Sequence, residues 1–395
     1  MRYMVAGGSW EMWPANDTPC GQPLCLGMNA PEDLMALIPD HWLRFPQPSP
    51  ILHIILGVVF TILTLVAFVG NLAVIILYCR YKRLQNASNL LVVNLAVADL
   101  LMMSKAPIFI IHSFLQRPAT GRLGCEAYGA VSLLAGLSAI WFLTAISLDR
   151  YRVVRLSLNT HHRISRSQTR VVVFVVWVAS CVVTALPLLG WNRYVPEGVL
   201  SGCTVDYLSE RWVDRSFIYL LLVIAWTAPM VAVIFSYTCI VLKVRRSGEE
   251  LRQLNSQSSA VVQLPHRRTV VRVAVLLCLW AVSWTPYALV VLVSVTFRDV
   301  AITPLLATMP SIFCKASSCL NPYVYGLCLP SFRKELARIL LPELRVEASP
   351  GSSDGGPRHN GDLTLDKLSP HPPAAPCQSP AWFSIILSYQ HGSLP

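Results

Sequence analysis

Seven apolar segments, each long enough to cross a bilayer, constrain this chain of 395 residues more than anything else in it. A helix rises about 1.5 Å per residue, so roughly 20 apolar residues cover a hydrocarbon core roughly 30 Å thick. The segments fall near 51–79, 89–113, 124–149, 170–191, 215–242, 271–297 and 301–326. The first, fourth and sixth are clean Leu/Ile/Val runs, and the third is rich in Gly, Ala and Ser, as close helix packing needs. The expected fold is an all-α membrane protein, a seven-transmembrane helix bundle over 51–326. Composition agrees with it. Hydrophobic residues make up 54% and charged residues 13%, about half the roughly 25% of an ordinary soluble chain. Twelve Cys are too dilute for a disulfide scaffold. The net charge of +11 lies between apolar runs. It reads as a topology signal, with membrane lipids rather than nucleic acid as neighbours.

Loop charges give the orientation. Twenty Lys and Arg fall on one side of the spans, among them Arg80, Lys82, Arg83, Arg150, Arg152, Lys243, Arg245 and Arg333. Eight fall on the other. The richer side is expected to be cytoplasmic, which puts the N-terminus outside and the C-terminus inside. Residues 1–50 then form an extracellular tail without the pattern of a cleaved signal, and Asn16-Asp17-Thr18 is a glycosylation acceptor on that face. Asn86-Ala87-Ser88 has the same pattern but lies on the cytoplasmic side, where it is expected unmodified. Residues 327–345 read as a short amphipathic cytoplasmic helix. Residues 346–395, rich in Pro, Ser and Gly, read as a disordered cytoplasmic tail.

Two lysines interrupt the spans. Lys315 lies about fourteen residues into the seventh, in Phe313-Cys314-Lys315-Ala316. A charged side chain at that depth costs several kcal/mol, which makes it a functional candidate. A desolvated amine is a nucleophile suited to a Schiff base with an aldehyde. Lys105 lies six residues past Asp99 in the second span, and its alternative is snorkelling to the outer interface. Short polar motifs complete the pattern: Gly70-Asn71 in the first span, Asp99 in the second, and Asp149-Arg150-Tyr151 closing the third. Trp284-Thr285-Pro286-Tyr287 follows in the sixth, and Asn321-Pro322-Tyr323-Val324-Tyr325 in the seventh. Each alone is a weak signal; their joint order across seven spans is specific.

On these residues the chain, over about 50–340, resembles the rhodopsin-like G-protein-coupled receptors. Within them Lys315 resembles the retinal-bearing lysine of opsins. Lys105-Ala106-Pro107-Ile108-Phe109 is similar to the second span of arthropod ultraviolet opsins, and Cys203-Thr204-Val205-Asp206-Tyr207 looks opsin-like. The resemblance implies a light receptor in the plasma or photoreceptor membrane, not an enzyme. It carries 11-cis-retinal or a close analogue on Lys315. Its implied partners are a heterotrimeric G protein, of Gq type, with arrestin and a receptor kinase acting on the tail. The resemblance also implies a disulfide between Cys125 and Cys203, and Cys20 and Cys25 stand where a second pair is open. The third-span position that holds a counterion Glu in vertebrate visual opsins is Tyr128 here. That leaves Glu197, matching the outer-loop counterion of many invertebrate opsins; its alternative is a solvated loop carboxylate. Gly136, Trp284 and Tyr287 are implied pocket residues. Asp99, Asp149, Arg150, Tyr151, Asn321, Pro322 and Tyr325 are the implied activation switch. Lys105, with Tyr128, is the spectral-tuning candidate, since a like charge disfavours a protonated Schiff base and so favours ultraviolet absorption. After the seventh span the His and Lys of a His-Pro-Lys motif usual in this branch are missing around Pro330. Two other readings stay open: a retinal photoisomerase, and a receptor for a diffusible ligand.

Overall fold

The computed structural model describes residues 3–6, 9–12, 20, 24–155, 164–253, 278–297, 302–328 and 332. The glycosylation candidate Asn16, the tail 346–395 and nearly all of the amphipathic segment 327–345 lie outside these residues. Seven helical spans run through the described part. The first is α3 (Pro50–Arg80), opened by Ser49, whose side chain accepts from the Leu52 N–H at 3.4 Å, with Pro50 at the first helical position. It follows two single-turn helices, α1 (Glu32–Met35) and α2 (Asp40–Leu43), and a short hairpin, β1 (Tyr3–Ala6) with β2 (Ser9–Met12).

The second span is two helices, α4 (Ala87–Ser104) and α5 (Ala106–Leu115), joined at Lys105. Pro107 explains the joint, since it brings no N–H and its ring crowds the preceding turn. Asn86 caps α4 by accepting from the Asn89 N–H at 2.9 Å. The third span, α6 (Arg122–Arg155), is the central helix and packs against α4 and against the fourth and fifth spans. The fourth, α7 (Arg166–Ala185), opens with a capping box between Ser165 and Gln168 and ends in a 3₁₀ turn stopped by Gly190. The fifth is α8 (Trp212–Leu221), a π-helical stretch Leu222–Thr227, and α9 (Ala228–Gln253). The sixth, α10, is helical over 278–296. The seventh is α11 (Pro304–Cys328).

Six of these helices are apolar and long enough to span a membrane by composition alone. The seventh is as long, at 25 residues, but diluted by Lys315, Asn321 and its Ser, Thr and Pro residues. The expected spans therefore stand, with ends that move by a few residues. The sixth was expected from 271, and its first residues lie outside the described part. The free cysteines divide. Cys314 and Cys319 are buried as small core residues, whereas Cys79, Cys181 and Cys278 face outward. Thiols are apolar enough for either environment.

Two observations fix how the ends of the bundle are built. Gly70 has no Cβ because one would meet Pro322 at 3.0 Å; this close approach lets Asn71 Nδ2 donate across to the Ser318 carbonyl at 3.0 Å. At the N-terminal face, residues 24–49 pack onto the bundle. Leu26, Ile38 and Trp42 form a core with Leu200, Ile302 and Ala307. Leu34 joins Phe60, Phe109, Cys125, Tyr128 and Cys203. Burying each Leu, Ile or Phe side chain among these contributes about 1.5–3 kcal/mol. A Cys20–Cys25 disulfide ties the start of this segment.

Candidate functional site

A hairpin closes the bundle at this face. Strand β3 (Tyr194–Glu197) pairs antiparallel with β4 (Gly202–Val205), with Glu197 opposite Gly202 and Pro196 opposite Cys203. The Cys125–Cys203 disulfide, with Cα atoms 5.4 Å apart, ties β4 to the start of α6. Gly198 turns the hairpin at φ +61°, and a Cβ there would meet the Pro304 carbonyl oxygen at 2.8 Å. The same turn is pinned to α11 by the Val199 N–H, which donates to Thr308 Oγ1 at 3.2 Å. Hairpin, third span and seventh span thus locate Glu197 together.

Beneath the hairpin lies a cavity of about 170 Å³, lined mostly by apolar groups of the second, third, fifth, sixth and seventh spans. Lys315 lines it and is 8% exposed. Its Nζ donates to the Ser311 carbonyl at 3.2 Å and lies 5.3 Å from the Phe60 ring centroid. Lys105 lines the same cavity and is 5% exposed, so snorkelling does not describe it. The joint between α4 and α5 places it there. Its Nζ donates to Ser132 Oγ and sits 4.7 Å from the Tyr128 ring centroid, a cation–π contact. The two lysines are within electrostatic reach of one another and of Glu197. Among the described residues neither lies within ion-pair distance of a carboxylate.

Glu197 is the carboxylate of this cavity: the residue is half-buried, and its Oε1 is shut off from solvent. Burial pushes its carboxyl up from the ordinary 4.5 to about 7, against the Tyr207 hydroxyl, the Lys315 ammonium, the Tyr287 hydroxyl and Lys105, which pull it down. Its Oε1 nevertheless accepts no well-formed hydrogen bond, and the Tyr207 hydroxyl is likewise unsatisfied. Tyr287 is held by Thr204, oxygen to oxygen at 2.8 Å. Glu126, two residues out of register with Tyr128, points away and pairs with Arg122 at 2.7 Å. A Cβ on Gly136 would meet the Trp284 indole at 3.1 Å, so the room that Gly136 makes is taken by Trp284.

Several residues in and around the cavity had no signal in the sequence. Ser132 is one serine in a helix full of small residues. Phe60 and Tyr207 come from a lipid-facing span and a loop. Trp226 sits in the π-helical stretch, donating to Thr285 Oγ1 at 3.3 Å. Only Pro229, just after it, hinted at irregular helix there.

The motif residues gather below the cavity. Asp99 is buried, and Asn321 Nδ2 donates to its Oδ2 at 2.9 Å. Asp149 accepts from the Ser88 hydroxyl at 2.7 Å and lies 3.7 Å from Arg150. Tyr151 packs edge-on against Phe235, ring centroids 5.6 Å apart. Tyr325 lies on α11, and its side chain is outside the described residues.

Seven spans, a disulfide-tied hairpin over a cavity, a buried amine lining that cavity and an Asp149–Arg150 pair at the far end of the third span describe a seven-helix membrane bundle. The sequence profile of the 7 transmembrane receptor (rhodopsin family) matches residues 70–325. An ultraviolet-sensitive opsin of Apis mellifera is 34% identical over 86% of this chain and 93% of the relative. A Gq-coupled rhodopsin of Mizuhopecten yessoensis is 34% identical over 78% of this chain and 64% of the relative. Squid rhodopsin superimposes with a TM-score of 0.70 at 28% identity, covering 80% of this chain and 92% of that structure. The chain belongs to the rhodopsin family of seven-transmembrane receptors and, within it, to the opsins. It is a multi-pass membrane receptor of the light-sensing type rather than an enzyme.

Proposed function

We propose that this opsin binds retinal as a Schiff base on Lys315, absorbs in the ultraviolet in the dark state, and signals through a Gq-type G protein. The observation that carries the reading is Lys315: a buried amine facing an apolar cavity with one carboxylate, Glu197, whose Oε1 has no hydrogen-bond partner. These residues fit retinal. An aldehyde needs an amine, a polyene needs an apolar cavity, and a protonated Schiff base needs a buried negative charge. Retinal supplies the absorption of light and the change of shape that follows.

The chain's own residues do the rest. Lys315 provides the amine, and Cys125–Cys203 holds the hairpin that carries Glu197, the counterion candidate. Trp284, Tyr287 and Gly136 shape the cavity wall. Lys105 opposes a positive charge on the Schiff base. Two unit charges about 5 Å apart interact by about 3 kcal/mol at an effective dielectric near 20, enough to favour the neutral, ultraviolet-absorbing form. The name of the Apis mellifera relative supports the same reading.

At the other face, Asp149, Arg150 and Tyr151, with Asp99, Asn321, Pro322 and Tyr325, form the switch that opens a G-protein site. A two-state element of this kind needs only a differential contact to shift. Gq coupling is supported by the Mizuhopecten yessoensis relative and by α9, which continues as helix to Gln253. The loop charges support a cytoplasmic position for this face and for the tail that arrestin and a receptor kinase would engage.

The test is to express the protein, add 11-cis-retinal, and record a difference spectrum before and after illumination. Borohydride reduction and peptide mapping follow. An ultraviolet band and label on Lys315 alone are expected. Label on Lys105, or on neither lysine, refutes the attachment, and lack of any adduct favours a diffusible ligand.

A further inference from the structure

Lys105 is held by a hydroxyl whose own proton is already committed. Ser132 lies one turn beyond Tyr128 on α6, and its O–H donates to the Tyr128 carbonyl at 2.6 Å. A serine hydroxyl has one proton to give. Toward Lys105 it therefore only accepts, and Lys105 Nζ donates to it. The second contact of Lys105, the face of the Tyr128 ring at 4.7 Å, also attracts a cation. A neutral amine could also donate to Ser132, but its lone pair would then face no donor on either neighbour. Both contacts suit an ammonium.

The ionisable groups facing Lys105 come from three elements. Glu197 on β3 favours its charge and Lys315 on α11 disfavours it; Cys314 lies beside Lys315, and Tyr128 is on α6. In lipid-facing helices a serine is ordinarily satisfied by its own i−4 carbonyl, as Ser132 is. What sets Ser132 apart is the second partner, a buried cation on a neighbouring span.

We infer that Ser132 is the positioning residue that keeps Lys105 charged and aimed into the cavity, and so sets the protonation balance at the Lys315 linkage. The inference rests on the assignment of Lys315 and Lys105 above. Without Ser132 the ammonium loses its strongest acceptor, Lys105 sheds its proton more readily, and the repulsion that keeps the linkage neutral falls.

The experiment compares Ser132→Ala and Ser132→Thr with the wild type, each also in a Lys105→Met background, after regeneration with 11-cis-retinal. The readout is the pH midpoint at which the ultraviolet band converts to the visible one. Ser132→Ala is expected to raise the midpoint by about one pH unit, a tenfold change in the equilibrium and about 1.4 kcal/mol. Ser132→Thr, which keeps the hydroxyl, restores it. In the Lys105→Met background Ser132→Ala is expected to have little effect. If Ser132→Ala yields no pigment, Ser132→Cys, of similar size and with a weak acceptor, takes its place. An equal shift in both backgrounds, or none in either, overturns the inference. A wild type that is visible-absorbing at neutral pH refutes the ultraviolet reading alone, because the four-way comparison of midpoints still decides the role of Ser132.

Discussion

Glu197→Gln keeps the shape of the hairpin tip but removes the carboxylate of the cavity, and its effect on the retinal-free protein follows from the titration of that group. In the folded protein the carboxyl titrates near 7, and in the unfolded chain near its ordinary 4.5. The folded state holds the proton more tightly, so unfolding releases it in the window between these values. The sign is then set. The stability tied to Glu197 is fully present below about pH 4.5 and is lost as pH rises through about 7. The gap between 4.5 and about 7, at 1.36 kcal/mol per pH unit, amounts to about 3 kcal/mol. Asp206, also raised by burial, contributes with the same sign but is common to both proteins, so the difference between wild type and variant isolates Glu197. The assay is thermal unfolding in detergent from about pH 4 to about pH 8, followed by the loss of helical circular dichroism. The wild-type midpoint should fall across the window, while that of Glu197→Gln stays flatter and lies higher above pH 7. Parallel curves for the two proteins would falsify the burial argument.

Three further outcomes follow from the same geometry. Lys105→Met should move the absorption of the regenerated pigment to longer wavelength, and an unchanged ultraviolet band would remove Lys105 from the tuning mechanism. Arg150→Ala should bind retinal as the wild type does yet lose light-stimulated nucleotide exchange on the G protein; full exchange by this variant refutes the latch. Cys125→Ser or Cys203→Ser should lower pigment yield and speed thermal decay, because the hairpin that carries Glu197 loses its tie to α6; undiminished, equally durable pigment would count against that role.

What the sequence revealed, and what it withheld, divides along physical lines. The seven spans are legible because lipid demands long apolar runs, and Lys315 is legible because charge in such a run is expensive. Depth along one helix is the limit of that logic. It left Lys105 open between the interface and the interior, since the answer depends on the joint at Pro107 and on where α6 runs beside it. Glu197 was open for the same reason: a loop carboxylate is solvated unless something folds it inward, and here a turn at Gly198, a Thr308 contact and a disulfide do so together. The N-terminal segment shows the reverse case. Its Pro-rich, polar character reads as a tail, yet Leu34 and Trp42 are each 1% exposed and help close the lid.

Charge accounts for why the cavity was only half legible. Two amines and one carboxylate line one largely apolar cavity, so their protons are distributed by partners that no sequence spacing reveals. The Lys105 ammonium depends on the hydroxyl of Ser132 and the face of Tyr128. Glu197 depends on Tyr207 and Tyr287. Each partner comes from a different segment of the chain. On the proposed reading, the attachment lysine, the lid disulfide and the switch motifs can all be kept while neutral residues around them set the spectrum.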